Sequence, residues 1–317
     1  SVPVSYQDYE SEDQEYADLV ADNSIAEWAD IDLSMINQEV PDLGPDFDID
    51  NLGLKDFEID ASDKYEDKDA DEVPEPPKEA KSKLGDLYIL GEHRLLCGDS
   101  TDPEQVARLM NGEKADMVFT DPPYGVNERT MRKSSGRGKL AEGHDFRPVW
   151  GDESNETAIK AFETWQSTPG IWWGANYYSH SVPEVSSWLV WDKRDGVASD
   201  HNADCELAWV WNEKPARVFR HLWKGCIRKT EKNESKVHPT QKPVALAEWC
   251  FQNYGDPQRV FDGFLGSGST LIACEKTGRK CYGTEIDPHY VDVIVKRWEE
   301  FTGKKAHLEK VIIRKNG

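Results

Sequence analysis

The sequence predicts an α/β fold, with a mostly parallel sheet that carries helices on both faces. From residue 84 onwards, short apolar runs alternate with longer stretches in which apolar residues recur at helical spacing. This alternation is typical of parallel strands joined by crossover helices, which bury the sheet on both sides. A chain of 317 residues is long enough for one large core and a smaller unit or tail.

Seven short apolar runs are predicted to be buried strands, and five amphipathic stretches are predicted to be helices. The predicted strands are Arg94–Cys97, Met117–Thr120, Gly170–Trp173, Trp188–Trp191, Leu207–Trp211, Arg259–Phe261 and Lys280–Thr284. The predicted helices are Pro103–Asn111, Glu156–Ser167, Pro243–Tyr254, Ser269–Thr277 and Tyr290–Phe301.

The first 83 residues form a separate, strongly acidic region. They carry 26 of the 60 acidic residues and only six lysines, so the net charge of −22 falls to −2 for residues 84–317. Apolar residues around Leu19 and Trp28 predict short helices within an acidic leader, residues 1–60. Residues 61–83 lack apolar periodicity and are rich in proline, which predicts a disordered linker. Residues 84–317 are predicted to be the main domain, and its near-neutral charge is compatible with a nucleic-acid partner.

Cysteine usage and hydropathy favour a cytoplasmic protein. The six cysteines lie far apart without a Cys-x-x-Cys pair, as expected for reduced thiols. No apolar run reaches the roughly 18 residues that span a bilayer, and residues 1–10 lack a signal-peptide pattern. His201 and Cys205 are spaced like two metal ligands on a helix, but no second pair lies nearby, so no metal is expected.

A glycine-rich turn, Phe264-Leu265-Gly266-Ser267-Gly268-Ser269, joins a predicted strand to a predicted helix. In an open α/β sheet such a turn lies where ligands bind, and the helix N-terminus offers N–H groups to negative charge. The turn lacks the lysine of a phosphate-binding P-loop. Glu285 ends the next strand about 20 residues later, where an acid binds ribose hydroxyls. This arrangement fits NAD as well as S-adenosylmethionine.

The tetrapeptide Asp121-Pro122-Pro123-Tyr124 follows another predicted strand. Two prolines fix the backbone and remove two N–H donors, so the carbonyl groups of this stretch remain available to accept hydrogen bonds from a ligand. The Asp121 carboxylate and the Pro122 carbonyl can accept both hydrogens of an amine, and Tyr124 can stack a base. The alternative is an ordinary Pro-Pro turn, which the glycine-rich turn and Glu285 make less favourable.

These motifs resemble those of the DNA amino-methyltransferases, whose signature is Asp-Pro-Pro-Tyr with a Phe-x-Gly-x-Gly cofactor turn. Because the tetrapeptide precedes the turn here, the chain is similar to the circularly permuted β group of that family. The resemblance covers roughly Leu84 to Phe301. It implies a Rossmann-like, S-adenosylmethionine-dependent methyltransferase fold with a mostly parallel, seven-stranded sheet, and Asp121, Pro122, Pro123 and Tyr124 as the catalytic residues.

Two further stretches are similar to family segments that contact the cofactor, S-adenosylmethionine. Leu96-Cys97-Gly98-Asp99 resembles the segment whose acid contacts the adenine, and His238-Pro239-Thr240-Gln241-Lys242-Pro243 resembles the segment beside the methionine carboxylate. The family turn usually reads Asp-Pro-Phe, where this chain has Asp262-Gly263-Phe264. The cofactor-binding residues that the resemblance implies are Asp99, Thr240, Lys242, Asp262, Phe264, Gly266, Gly268, Ser269, Glu285 and Ile286.

The implied reaction is direct displacement, in which the amine nitrogen attacks the sulfonium methyl group after the base leaves the duplex. Asp rather than Ser before Pro-Pro-Tyr favours N6 of adenine over N4 of cytosine. The chain has no Pro-Cys, which 5-methylcytosine enzymes need. Functions of two different kinds also stay open. One is methylation of glutamine or RNA, although those enzymes usually have Asn in place of Asp121. The second is a non-catalytic, partition-like DNA-binding protein.

Residues 125–237 separate the two motifs and are the expected target-recognition insert. Basic residues predicted to contact double-stranded DNA lie in a loop after Tyr124 and in a second cluster. The first set is Arg129, Arg132, Lys133, Arg137 and Lys139, and the second is Arg217, Arg220, His221, Lys224 and Arg228. A homodimer is an open option, and no membrane contact is expected.

The leader also resembles a known segment. Asp22-Asn23-Ser24-Ile25-Ala26-Glu27-Trp28-Ala29 is similar to the stretch that joins a ParB-like domain to a methyltransferase in phage and prophage proteins. An acidic solubilising tail is an equally open interpretation of the leader, and an acidic segment that competes with DNA for the basic loop is a third hypothesis.

Overall fold

The computed structural model of the protein describes residues 69–125, 149–194, 203–211, 215–224, 227–228 and 241–309. Five α-helices lie within these residues. They are α1 (Pro103–Met110), α2 (Glu156–Trp165), α3 (Val244–Asn253), α4 (Ser269–Lys276) and α5 (Pro288–Thr302). The strands are β1 (Leu87–Leu90), β2 (His93–Cys97), β3 (Met117–Thr120), β4 (Gly170–Trp173), β5 (Trp188–Asp192), β6 (Cys205–Val210), β7 (Arg217–Arg220), β8 (Trp223–Lys224), β9 (Ile227–Arg228), β10 (Arg259–Asp262), β11 (Lys280–Glu285) and β12 (His307–Leu308). Each helix and strand predicted from residue 84 onwards is therefore confirmed, with ends that differ by at most two residues.

The described strands form one large mixed sheet and a separate β8–β9 pair. The order in the large sheet is β12-β1-β2-β11-β10-β3-β4-β6-β5-β7. The five strands from β2 to β4 run parallel, whereas β1 pairs antiparallel with both β12 and β2, and β6 pairs antiparallel with both β4 and β5. The predicted count of seven strands is wrong, because β1, β7 and β12 extend the sheet to ten strands at its edges.

Helices cover both faces of the sheet, as predicted. Neighbouring residues on a strand point to opposite faces. On one face, Val118 of β3 belongs to a buried cluster with Leu109 of α1 and Phe162 of α2. On the other face, the ring of Phe119 lies 5.4 Å from that of Phe251 in α3.

The second face carries three helices that are joined by polar contacts. Lys276 of α4 pairs with Glu248 of α3 at 2.9 Å, and the indole of Trp298 in α5 donates to Glu275 of α4 at 2.9 Å. Trp298 is fully buried. The sheet is therefore the middle layer of three, and the carboxyl ends of its parallel strands form an edge that is available for a site.

Residues 69–83 are not the disordered linker that their composition predicts. Asp71, Val73 and Ser82 are all buried. The Asp292 carboxylate in α5 accepts hydrogen bonds from the backbone N–H groups of Lys81 and Ser82, at 2.6 and 3.1 Å. Tertiary contacts of this kind outweigh a weak local preference, so this segment belongs to the domain. Residues 1–68, including the predicted leader helices, lie outside the described residues.

The helical spacing of His201 and Cys205 does not correspond to a helix at Cys205. Cys205 begins strand β6, and His201 lies outside the described residues. Within the part of the chain that the structure describes, no group of three or more His, Cys, Asp or Glu side chains is placed to hold a metal ion. The five described cysteines are free thiols. In the same residues, no helix has the length and hydropathy needed to cross a bilayer.

Candidate active site

A cavity of about 440 Å³ lies at the carboxyl ends of the central parallel strands. Because β2, β11, β10 and β3 run parallel and side by side, the residues that follow them meet at one edge of the sheet. The two motifs, which are about 140 residues apart in sequence, thus face the same cavity. Its walls include Asp99, the stretch 121–124, the stretch 262–267 and Glu285.

Asp262 joins the catalytic strand to the glycine-rich turn. Its Oδ1 accepts hydrogen bonds from the Thr120 hydroxyl at 2.8 Å and from the Phe264 N–H at 3.0 Å, and its Oδ2 accepts from the Thr270 hydroxyl at 2.6 Å. The carboxylate is buried and satisfied within the protein. These contacts hold β3, β10 and the start of α4 together, and Asp262 also lines the cavity, so its predicted contact with the cofactor stays a prediction.

The glycines of the turn allow backbone conformations with positive φ angles. Gly266 and Gly268 have φ angles of 54° and 86°, which other residues rarely adopt. A Cβ at Gly268 would also lie 3.1 Å from Ile294 in α5. Gly266 lines the cavity, whereas Gly268 forms the N-cap of α4 and is absent from the cavity wall. Gly268 therefore shapes the turn without lining the cavity.

Glu285 is tied to the turn from the neighbouring strand. Its carboxylate accepts hydrogen bonds from the N–H groups of Gly266 at 2.9 Å and Asp287 at 2.8 Å. Burial raises the pKa of Glu285 to about 7, although these N–H donors favour the ionised form. Asp287 caps α5 by accepting from the His289 N–H at 2.9 Å.

A partly buried chain of alternating charges surrounds Asp121. The Lys242 ammonium donates to Oδ2 of Asp121 and lies 3.0 Å from Glu206, which in turn accepts from Lys193 at 2.9 Å. The ammonium also lies 5.7 Å from the ring centre of Trp173. Lys242 was predicted to sit beside the cofactor's carboxylate, whereas the structure directs its ammonium to two acids of the protein.

The ion pairs determine the charge states of Asp121, Glu206 and Lys242. Burial raises the pKa of Asp121 and the Glu206 carboxylate adds to the rise, while Lys242 opposes it. Burial would also raise the pKa of Glu206, but Lys242 and Lys193 lower it below its usual value. The two acids outweigh burial at Lys242 and raise its pKa. Asp121 and Glu206 are therefore carboxylates that share one ammonium at neutral pH.

Asp121 keeps one oxygen available for a ligand. Its Oδ1 is buried and has no hydrogen-bond partner among the described residues, while Oδ2 is engaged by Lys242. A buried carboxylate oxygen without a donor is costly unless a ligand supplies one. The sequence predicted that Asp121 would accept from an amine, and this acceptor in the cavity wall fits that role.

Tyr124 presents its ring against a second tyrosine. The rings of Tyr124 and Tyr177 are stacked, with centroids 4.7 Å apart and planes at 7°. A Cβ at Gly174 would lie 2.1 Å from the Tyr124 ring, so glycine is required there for the ring to take this place. Tyr177 is exposed, and its ring extends the aromatic surface that Tyr124 begins.

The remaining predicted site residues divide into three groups. Asp99, Phe264, Ser269 and Ile286 line the cavity, as do Pro122 and Pro123. Thr240 and the basic loop with Arg129, Arg132, Lys133, Arg137 and Lys139 lie outside the described residues. Arg217 and Arg220 are exposed on the edge strand β7 and do not line the cavity, and Lys224 is placed by its backbone on β8.

Sequence reasoning missed several residues of the site. Glu206 directly precedes the predicted strand Leu207–Trp211, and no motif marked it. Tyr177 and Gln241 carried no signal of their own.

The cavity suits S-adenosylmethionine. Its size falls within the ~300–1,000 Å³ range of small-molecule sites. Three buried polar atoms of its wall have no partner among the described residues, namely Ser100 Oγ, Asp121 Oδ1 and Gln241 Oε1. The cofactor carries ribose hydroxyls and an ammonium group that can donate to such atoms, and Glu285 follows the turn where a ribose is expected. The residues that line the cavity therefore fit S-adenosylmethionine as the cofactor.

Comparisons with known proteins give a consistent result. Residues 184–296 match the family model N6_N4_Mtase, described as DNA methylase. The type II methyltransferase M2.LlaDCHI of Lactococcus lactis subsp. cremoris is 24% identical over 238 residues, which cover 62% of this chain and 86% of the relative.

Solved structures with lower identity are also similar. The M1.HpyAVI–SAM complex is 20% identical, with a TM-score of 0.39, and the match covers 64% of this chain and 98% of that one. The PvuII DNA methyltransferase (cytosine-N4-specific) is 15% identical, with a TM-score of 0.41 and coverage of 73% and 94%. Residues 184–296 therefore resemble the N6-adenine/N4-cytosine DNA methylases, and the curated relatives are type II methyltransferases.

Proposed function

We propose that this methyltransferase acts on N6 of adenine in double-stranded DNA, after the base has been rotated out of the duplex. The observation that carries the proposal is Oδ1 of Asp121, which lies in the cavity wall without a partner among the described residues. An exocyclic amine offers the hydrogen that this oxygen lacks. The preference for adenine over cytosine rests on Asp, rather than Ser, before Pro-Pro-Tyr.

The residues of the chain prepare the amine for attack. Asp121 Oδ1 and the Pro122 carbonyl accept its two hydrogens and so direct the nitrogen lone pair away from the ring. S-adenosylmethionine supplies a methyl group bound to a positively charged sulfur. When the new N–C bond forms, the bonding pair of the broken C–S bond stays with sulfur, and the nitrogen must then lose one proton. The Asp121 carboxylate is placed to accept that proton, and Lys242 keeps the acid ionised beforehand.

The stacked Tyr124 and Tyr177 rings would hold the extruded base. Aromatic stacking contributes about 1–3 kcal/mol per base and tolerates different bases. This contribution offsets the few kcal/mol that unstacking from the duplex costs. The amine acceptors, rather than the rings, would therefore select which bases react.

The DNA backbone would be contacted away from the cavity. Arg217 and Arg220 lie on β7, four strand positions from β3, which corresponds to roughly 19 Å. This separation suits phosphate contacts that orient the duplex while one base enters the cavity. The basic loop after Tyr124 is proposed to make the nearer contacts.

Cofactor affinity should depend on the charge of Glu285. A ribose held by its carboxylate needs the ionised form, and the pKa of about 7 leaves the free protein partly protonated at neutral pH. The affinity for S-adenosylmethionine is expected to be about tenfold weaker near pH 6 than near pH 8. Isothermal titration calorimetry across this range tests it. Glu285→Gln should bind S-adenosylmethionine weakly, and its affinity should depend much less on pH because the titrating carboxyl group is gone. Only the pH dependence that comes from the cofactor itself should remain. An equally steep profile in the variant would contradict the assignment.

The base is identified by one experiment. Tritiated S-adenosylmethionine is incubated with unmodified DNA, and the nucleosides are then separated. Label in N6-methyladenine is expected. Label in N4-methylcytosine would correct the base and leave the chemistry unchanged, whereas DNA without label would reject the proposal.

Several finer points stay predictions. They are the permuted β-group assignment, a homodimer, a cytoplasmic location and the domain boundaries of the leader. The ParB-like resemblance concerns residues 22–29, which lie outside the described residues.

A further inference from the structure

We propose that residues 69–73 form a clasp that sets cofactor affinity, with Asp71 as its positioning residue and Gln241 as the wall residue it orients. The proposal concerns the cofactor end of the site and does not depend on which base is methylated. It rests on contacts between this segment and three elements of the cavity.

The first contact is a helix cap supplied from far away in sequence. Oδ1 of the buried Asp71 accepts a hydrogen bond from the N–H of Val244 at 2.8 Å, across 173 residues. Val244 begins α3, and its own N-cap residue, Pro243, makes no side-chain cap. Asp71 therefore fixes the start of α3, where Lys242 and Pro243 enter the cavity wall.

The second contact orients Gln241. The backbone carbonyl of Asp71 accepts from Nε2 of Gln241 at 2.9 Å. Gln241 is 4% exposed and lines the cavity, and its Oε1 has no partner among the described residues. Because Nε2 is held by the clasp, the amide carbonyl is the end left to meet a ligand. An oxygen acceptor here suits the ammonium group of the cofactor's methionine part.

The third contact reaches the glycine-rich turn. Arg297 of α5 donates to the Ala70 carbonyl at 2.7 Å and to the Ser267 carbonyl at 2.9 Å, so one guanidinium joins the clasp to the turn. Val73 packs beside it against Tyr290 and Val293, and Tyr290 lines the cavity. The clasp is thus linked to the cofactor turn through Arg297 and contacts Gln241 directly.

Variants of Asp71 in the full-length chain test the clasp. Asp71→Ala is expected to raise the Kd for S-adenosylmethionine about tenfold and to raise its KM similarly, with kcat at saturating cofactor within about twofold. Asp71→Asn should remain within about twofold of the wild type, because the amide oxygen can still accept from Val244. Glu72→Ala is the matched control, since Glu72 is an exposed neighbour with the same charge. Equal affinity in Asp71→Ala and Glu72→Ala would overturn the proposal.

The route through Gln241 has its own test. Gln241→Ala should weaken cofactor binding, and the double variant with Asp71→Ala should be weaker than Gln241→Ala by no more than about threefold, because the two residues act through a shared contact. If the increases in Kd of the two single variants multiply fully in the double variant, Asp71 does not act through Gln241.

Coupling is also measurable without any substitution. Cofactor binding and the hydrogen bond from the Val244 N–H to Asp71 must favour each other by the same factor. S-adenosylmethionine should therefore slow hydrogen exchange at the Val244 amide in the wild-type protein. Unchanged exchange at saturating cofactor would count against the clasp, whether or not the variants fold.

Discussion

Asp121→Ala is expected to lower the rate of methyl transfer to DNA by about a thousandfold or more, with little change in the affinity for S-adenosylmethionine. Removing one preorganised group that stabilises a transition state typically costs about 10²–10³ in kcat, and Asp121 also serves as proton acceptor in the proposed reaction. Its Oδ1 has no partner to lose among the described residues, and Lys242 retains Glu206 at 3.0 Å. The local charges therefore remain paired, so the fold and the cofactor site should persist.

Single-turnover transfer of a tritiated methyl group measures this loss, and calorimetry with the cofactor alone measures its binding. Asp121→Asn separates shape from charge, because the amide fills the same space and offers at most one acceptor. It should fall between the wild type and the alanine variant. A rate in Asp121→Ala above one tenth of that of the wild type would contradict the assigned role.

Lys242→Met is expected to reduce the rate about a hundredfold at neutral pH, with partial recovery as the pH rises. The ammonium lowers the pKa of Asp121, which burial already raises. Without it, the pKa of Asp121 rises further and the acid is protonated over more of the neutral range. A protonated Asp121 is a poorer acceptor, so activity should return only as the pH passes the new, higher pKa.

The stability of Lys242→Met should fall as the pH rises, whereas its activity should recover. A carboxyl whose pKa is raised in the folded state destabilises the fold as it ionises, so the deficit of Lys242→Met grows as the pH rises from the unfolded pKa through the folded one. Breaking a buried pair on one side costs about 3 kcal/mol. Urea unfolding at several pH values measures this deficit.

Lys193→Met is a matched control for Lys242→Met. Lys193 pairs with the same Glu206 but does not reach Asp121, so its loss should cost less than about fivefold in rate. If both lysine variants lose activity equally, the special role of Lys242 is refuted.

The central strands and both motifs could be predicted because their signals are local. Met117–Thr120 and Gly170–Trp173 are continuous apolar runs that are fully buried as strands. The glycines of the turn are readable because their φ angles demand them. The edge strands escaped prediction for a physical reason. β7 is largely exposed and β12 has two residues, so neither shows the alternation that burial imposes on a longer strand.

The roles of individual side chains were harder to predict, because they depend on long-range pairing. Lys242 lies in a recognisable motif, yet its ammonium group pairs with Asp121 and Glu206, which lie 121 and 36 positions earlier in the chain. Asp71 stands in a segment whose proline and charge content indicates disorder. Its burial follows from a cap on a helix 173 residues later, which no window of sequence contains.

The ladder between β3 and β10 has a consequence for protein engineering. Val260 lies opposite Met117 and Phe261 opposite Val118, so hydrogen-bond register alone fixes the spacing between the catalytic tetrapeptide and the cofactor turn. A slip of two residues would move one motif past the other by about 7 Å, whereas a change in the length of the connecting chain moves neither. Segments from other enzymes should therefore be exchangeable within the predicted target-recognition insert, residues 125–237, provided that the graft keeps α2, β4, Tyr177, β5 and β6. Such chimaeras would read new DNA sequences with an unchanged chemical step.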